Sequence, residues 1–353
     1  MTEENSNRVL PILAQGSGEL VGWRDPDENR AWIRDNKPRG LVDKRMPVRQ
    51  AVEQFVKDGD FIAMGGFGHV RVPMVVIYEI VRQGRRNLTV AGKTAVHDID
   101  ILIGGGCVSK VECAYAFGHE IRGLSPCGRR AVESGRVKVV AEISNAAYQW
   151  RFLAGMMGIP FIPARTMIGT DTFDKSSSKV IEDPWSGKPV VLIPAAYPDV
   201  CLLHVPRCDR YGNAQIDGIL VEDFELARAS RRVIVATEEI VDEEFIRRDP
   251  RMTAIPFYLV DAVCEVPYGA HPVQMPYLYF FDEKHIASWL ELSKTEEGTQ
   301  EYLDRYVFGV NDFDEYLERV GGMDRMQQLK RIEMLGSAGL VDDDQNNWKE
   351  QPK

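Results

Sequence analysis

Phe61-Ile62-Ala63-Met64-Gly65-Gly66-Phe67-Gly68-His69-Val70-Arg71-Val72-Pro73 is the stretch on which the fold turns. Four apolar residues stop at a cluster of glycines, and Pro73 follows where a helix start tolerates a missing N–H. The order is therefore buried strand, glycine turn, helix. Three glycines in four residues let the backbone approach a ligand and aim amides at an anion or a developing oxyanion. A bare strand-to-helix turn has the same composition, and both readings stay open at this point. Nucleotide motifs do not fit. Arg71 stands where G-x-G-x-x-G needs its third glycine, and no Gly-Lys-Ser/Thr closes a Walker loop.

Upstream, Val48, Ala51, Val52 and Phe55 fall at helical spacing, with Gly59 as the stop. Downstream, the helix opened by Pro73 closes at Gly84, and residues 87–91 form the next strand. The alternation continues with a strand at 111–116, a helix at 128–134, a strand at 137–143 and a helix at 145–158 capped by Asn145. Residues 190–193, 200–205, 232–236 and 259–266 read as further strands. Strands alternating with helices predict an α/β fold, a mostly parallel sheet sandwiched by helices, with a more helical C-terminal part after about Tyr268. Residues 1–45 are charged and Pro/Gly-punctuated and read as an arm. Residues 46–322 form the α/β domain, and 323–353 a polar tail.

Composition excludes several classes. At 353 residues with 44% hydrophobic and 27% charged content, the chain is a globular protein and not a disordered one. The net charge of −10 without a dense Lys/Arg run speaks against nucleic acid as a partner. No apolar run reaches the ~18 residues of a membrane span. The polar, acidic residues 1–8 lack the regions of a signal peptide, so the cytoplasm is the expected location. The six cysteines contain no C-x-x-C pair, which leaves reduced, mostly buried thiols. No two histidines stand at i, i+4, so no helical metal site is expected.

Ligands of open parallel sheets sit beyond the carboxyl ends of strands. That rule selects residues 65–71 and 92–98. Within them Arg71 and Lys93 are candidate partners for a substrate anion, Lys93 being readable also as a solvated surface lysine. His69 lies in the glycine loop. His97 is either a base near Asp98 or a satisfied loop histidine. Gly104-Gly105-Gly106 reads as a turn, and Gly123-Leu124-Ser125-Pro126-Cys127 fails as a nucleophile elbow because Cys127 replaces the required glycine. The acidic group from Glu238 to Glu244, with Arg247 and Arg248, reads as a solvated helix face.

Gly65-Gly66-Phe67 with Arg71 and Pro73 downstream resembles the glycine motif of the alpha (A-type) subunits of family I coenzyme A transferases. The runs from Glu238 to Pro250 and from Val260 to Pro272, and Phe161-Ile162-Pro163, resemble segments of the glutaconate CoA-transferase alpha subunit. The likeness spans about residues 46–322. Gly68-His69-Val70 and Lys93-Thr94-Ala95-Val96-His97 depart from the glutaconate type. The resemblance implies the NagB/RpiA/CoA-transferase-like fold and transfer of coenzyme A between carboxylic acids. It implies covalent catalysis by a glutamate of the beta subunit. This chain has no glutamate in its glycine loop, so no catalytic residue of its own is expected. Gly65, Gly66, Phe67, Gly68 and His69 would wall the acyl pocket and its oxyanion amides. Arg71, Lys93, His97 and Glu142 would contact substrate. Coenzyme A is expected as substrate, with no resident cofactor or metal, in a hetero-tetramer or larger assembly with the beta subunit. Two alternatives remain: a subunit of a CoA-thioester hydrolase, for which Glu142 is the candidate carboxylate, or a ligand-binding subunit without turnover.

Overall fold

The computed structural model describes residues 11–119 and 122–335. Its centre is a seven-stranded sheet of β1 (Phe61–Met64), β2 (Leu88–Ala95), β3 (Val108–Ala116), β4 (Lys138–Glu142), β5 (Val200–Val205), β6 (Arg232–Thr237) and β7 (Ala262–Glu265). The order is β7-β6-β5-β1-β2-β3-β4, and every neighbouring pair is parallel. Every residue of β1 and β5 is buried, which is why both are continuous apolar runs and not alternating ones. The chain builds outward from β1 to β4, then returns to lay β5 on the other side of β1. That reversal makes the gap between β1 and β5 the topological switch point of the sheet.

One face is covered by α2 (Val48–Phe55), α3 (Met74–Arg82), α4 (His97–Gly104) and α5 (Pro126–Glu133), together with α8 (Glu283–Leu292), α9 (Glu296–Leu303), α10 (Phe313–Arg319) and α11 (Gly322–Leu335). The other face packs on α6 (Asn145–Met157) and α7 (Asp223–Ala229). The expected α/β sandwich with a helical C-terminal part is therefore the observed fold. Helix α6 is capped one residue earlier than expected: the Ser144 hydroxyl, not Asn145, accepts from the Ala147 amide at 3.3 Å. Gly158, at φ +69°, ends it in the left-handed conformation.

Four features depart from the expectations drawn from sequence. The strand expected at 190–193 exists as Pro189–Pro194, but in a separate antiparallel sheet with Ala14–Gln15, Lys179–Glu182 and Phe161–Ala164. Residues 97–104, not assigned to a helix, form α4. The strand expected at 259–266 shortens to β7, after a 3-10 turn at Phe257–Leu259. Residues 323–335 are no polar tail: α11 buries Met326, Leu329 and Ile332 in the core. Residues 336–353, the rest of that expected tail, lie outside the described residues.

The N-terminal arm is tied down by specific groups. Helix α1 (Pro26–Asn36) is capped by Asp25, whose carboxylate accepts from Asp27 and Glu28 amides at 2.9 and 3.2 Å. Past its end, buried Lys37 pairs with Asp261 at 3.0 Å. Arg151 of α6, fully buried, binds Glu112 of β3 and the carbonyl of Val21 at 2.5 Å, so one guanidinium joins arm, helix and sheet. The six cysteines are free thiols, five of them buried. Among the described residues no helix is long and apolar enough to cross a membrane.

Candidate functional site

The glycine loop leaves the carboxyl end of β1 at the switch point, and its backbone is folded back on the protein. Gly66, Gly68 and Arg71 take φ of +78°, +58° and +54°. The Gly65 amide donates to Leu202 O at 2.9 Å, Phe67 to Val70 O at 2.9 Å and Gly68 to Thr94 O at 2.9 Å. Gly66 donates to Asp223 Oδ1 at 3.3 Å. The amides of Gly65, Gly66, Phe67 and Gly68 thus have internal acceptors and do not face an oxyanion. The loop's glycines answer a steric need as well: a Cβ on Gly65 would stand 2.4 Å from Leu203 Cδ2, and one on Gly66 2.3 Å from Val70 O.

Arg71 does not face a ligand. Its guanidinium is fully buried and grips Asp223 in a fork, Nη1 to Oδ1 at 3.0 Å and Nη2 to Oδ2 at 2.8 Å. A further bond from Nη2 reaches Ile219 O at 2.7 Å. The pair shuts the back of the loop onto the first residue of α7.

Lys93 is likewise engaged. Near the end of β2 it pairs with the buried carboxylate of Glu222, next to Asp223. Burial raises the Glu222 carboxyl to about 7, against the hydrogen bond and charge of Lys93, which lower it. Glu222 therefore exchanges a proton near neutrality, beside the loop. A folded-state pKa above the unfolded one favours folding at low pH, and that contribution is lost as pH rises from about 4.5 to about 7. The stability difference between the native protein and Glu222→Gln should consequently change across that window, by at most about 1.4 kcal/mol per pH unit. Urea titrations at half-unit pH steps measure it. A flat difference curve would show that Glu222 ionises normally.

The histidines gather on the other side of the loop. His69 stacks on Phe281, ring centroids 5.4 Å apart, and lies 5.8 Å from His119. Burial pushes the His119 imidazole down to about 3, with the charge of His69 acting the same way. His97 opens α4, edge-on to Trp289 at 6.1 Å, and burial drives its ring well below the usual range. Among the described residues, neither ring nitrogen of His97 or His119 has a hydrogen-bond partner. His97 is therefore a neutral buried ring and not a satisfied loop histidine. Glu142 lies elsewhere: it pairs with Lys175 at 3.1 Å and lines a cleft with Phe117 and Leu124 that shares no residue with the loop.

Glu222, Asp223 and His119 carry this geometry and were not singled out by sequence. Nothing in the chain links Asp223 to Arg71, 152 residues away. Glu238 is a further correction, since it is no solvated surface group: it binds His204 Nε2 at 2.6 Å and accepts from Tyr279 Oη at 2.5 Å. Among the described residues, no three His, Cys, Asp or Glu side chains converge as a metal site.

A glycine loop shut by a buried ion pair at the switch point of a parallel sheet defines an α/β protein of the open-sheet class, in which ligands bind at that point as a rule. The coenzyme A transferase profile matches residues 45–266. The A-type polypeptide of glutaconate CoA-transferase from Acidaminococcus fermentans is 34% identical over 84% of this chain and 97% of its own. The corresponding polypeptide of 3-oxoadipate CoA-transferase from Pseudomonas knackmussii is 33% identical over 78% and 97%. The crystal structure of the A. fermentans glutaconate enzyme superposes with a TM-score of 0.78 at 33% identity, over 81% of this chain and 95% of that one. This chain belongs to the coenzyme A transferase family.

Proposed function

We propose that this chain is the alpha subunit of a two-chain enzyme that moves coenzyme A from an acyl-CoA to a carboxylic acid. The observation that carries the reading is a glycine loop at the switch point that holds no nucleophile. Around it stand exposed apolar side chains: Phe67 at 42%, Leu220 at 52%, Tyr277 at 63% and Ile219 at 72%. Such a cluster beside a functional loop is the mark of a covered surface, and the beta subunit is the cover. A glutamate of that partner attacks the thioester carbonyl, the C–S bond breaks, and the thiolate leaves with an anhydride formed. The thiolate returns to the glutamyl carbonyl and releases the first acid. The second acid then attacks the glutamyl thioester and departs as the new acyl-CoA after the same exchange.

In that scheme this chain holds the loop in shape through Arg71 and Asp223. His69 and His119 supply polar walls, which suits an acyl group carrying oxygen functions. For the hydrolytic alternative, in which a water or a different carboxylate does the work, the candidate carboxylate of this chain, Glu142, sits in a separate cleft.

The test uses the companion chain encoded alongside. The pair, incubated with acyl-CoA and then borohydride, should yield a modified glutamate on the companion chain and none on this one. Turnover by this chain alone would end its assignment as one half of a pair. Release of free coenzyme A without an acceptor acid, and without a trapped adduct, would replace transfer by hydrolysis.

A further inference from the structure

At the opposite end of the sheet, where β5, β6 and β7 begin, a cavity of about 700 Å³ opens. That is the size of a small-molecule site. It lies between α1, the last turn of α6 and the Phe257–Leu259 turn. Its position, one strand length from the glycine loop (roughly 20 Å), separates it from the transfer site.

The lining is chemically one-sided. Arg30, Lys37, Arg39 and Arg228 contribute to it, and no Asp or Glu does, although the chain carries a net charge of −10. Lys37 is neutralised by Asp261 at 3.0 Å. The others are weakly held. Arg30 pairs with Asp27 at 2.9 Å, but both side chains are largely exposed. The Nε of Arg228 only reaches Met156 O, at 3.4 Å. Arg39 has no hydrogen bond or ion pair among the described residues.

Inside stands Tyr197, 1% exposed, whose hydroxyl has no partner among the described residues. Burial raises the Tyr197 phenol, with the charge of Arg30 lowering it and that of Asp25 raising it, and Tyr197 and Arg30 both line the cavity. A buried hydroxyl left unpaired is destabilising, and such an orphan calls for a ligand or water to complete it. Met156, Tyr258 and Leu259 add an apolar wall beside these polar groups.

We propose that this cavity binds a nucleoside phosphate, with the flat base against Met156 and Tyr258 and the phosphate on Arg39 and Arg228. Guanidinium groups match phosphate oxygens in paired hydrogen bonds, and the Tyr197 hydroxyl bonds the ligand from within. Two sources share this chemistry: a free nucleotide, and the nucleotide half of coenzyme A. The site needs no part of the transfer scheme above, and its test reads binding and not turnover.

Calorimetric titration of the two-chain complex with ADP, pyrophosphate and coenzyme A tests the proposal. ADP should bind in the micromolar range, and pyrophosphate, lacking the base, at least tenfold more weakly. Arg39→Glu with Arg228→Glu should weaken ADP tenfold or more. Tyr197→Phe should weaken it severalfold while the melting temperature of the ligand-free protein holds or rises, since the variant removes an unpaired buried hydroxyl and no bond inside the protein. Displacement of ADP by coenzyme A, abolished in the double variant, assigns the site to the coenzyme. ADP binding without such displacement assigns it to a free nucleotide. No binding at about 1 mM ADP, where −4.1 kcal/mol would already register, or equal affinity in the double variant, overturns the proposal.

Discussion

Replacing Asp223 with alanine is expected to cost about 3–5 kcal/mol of unfolding free energy, because it leaves a buried guanidinium without its counter-charge. Arg71 is fully enclosed. Its remaining bond would be the one to Ile219 O at 2.7 Å, which satisfies a single N–H of five. The Gly66 amide would lose its acceptor in the same stroke. Urea denaturation of the purified chain reads the loss as a lower midpoint at unchanged slope. The double variant Arg71→Met with Asp223→Leu should recover much of it, since apolar groups of similar volume replace a buried pair with little penalty. The coupling between the two sites should exceed about 1 kcal/mol, as expected for contacting residues. Additive losses, each below about 1 kcal/mol, would mean that the fork does not hold the loop.

How much of this was legible in the sequence follows from how local each signal is. Phe61–Met64 and Val200–Val205 are short apolar runs beside turn residues, and both stand as buried parallel strands. Pro189–Pro194 carries the same signal, yet it pairs with Phe161–Ala164 and Lys179–Glu182 outside the main sheet. A short apolar run states burial and says nothing of which neighbour it will meet. Helix α4 was hidden by its burial: seven of its eight residues are buried, the polar His97, Asp98 and Asp100 among them, so its polar residues do not mark an exposed face at a 3.6-residue period.

The site divides along the same line. The glycine loop was found because unusual backbone leaves a mark in composition. The partners of Arg71 and Lys93 were missed because an ion pair between a strand-end loop and a distant helix start leaves none. Both cations read as substrate ligands for that reason, and both turn out to have carboxylates of their own. Their shared element is the Glu222-Asp223 pair at the head of α7, which holds the loop and β2 together. The acidic pair thus organises the switch point, while the loop it holds faces the apolar surface assigned to the partner.

Gly66→Val should remove essentially all transfer activity, a fall of a hundredfold or more in the two-chain complex. The reason differs from obstruction of a pocket. At φ +78° a β-branched residue is strained by about 1–3 kcal/mol. Its Cβ would also sit 2.3 Å from Val70 O and 2.7 Å from the Arg71 carbonyl carbon, both backbone atoms of the loop itself. Overpacking of that kind adds about 1–3 kcal/mol. The loop must therefore open, which draws the Gly66 amide away from Asp223 and disturbs the fork behind it. Stability and activity should fall together, with the loss of stability shared by Asp223→Ala and not additive with it. Gly66→Ala, without the branched carbon, should lose less of both, although its Cβ meets the same oxygen. Kinetic assay with the companion chain, alongside thermal unfolding of this chain alone, separates the outcomes. A Gly66→Val protein that melts normally but is inactive would restore the view that the glycine keeps space for a ligand. One that melts normally and turns over would make the loop a turn and nothing more.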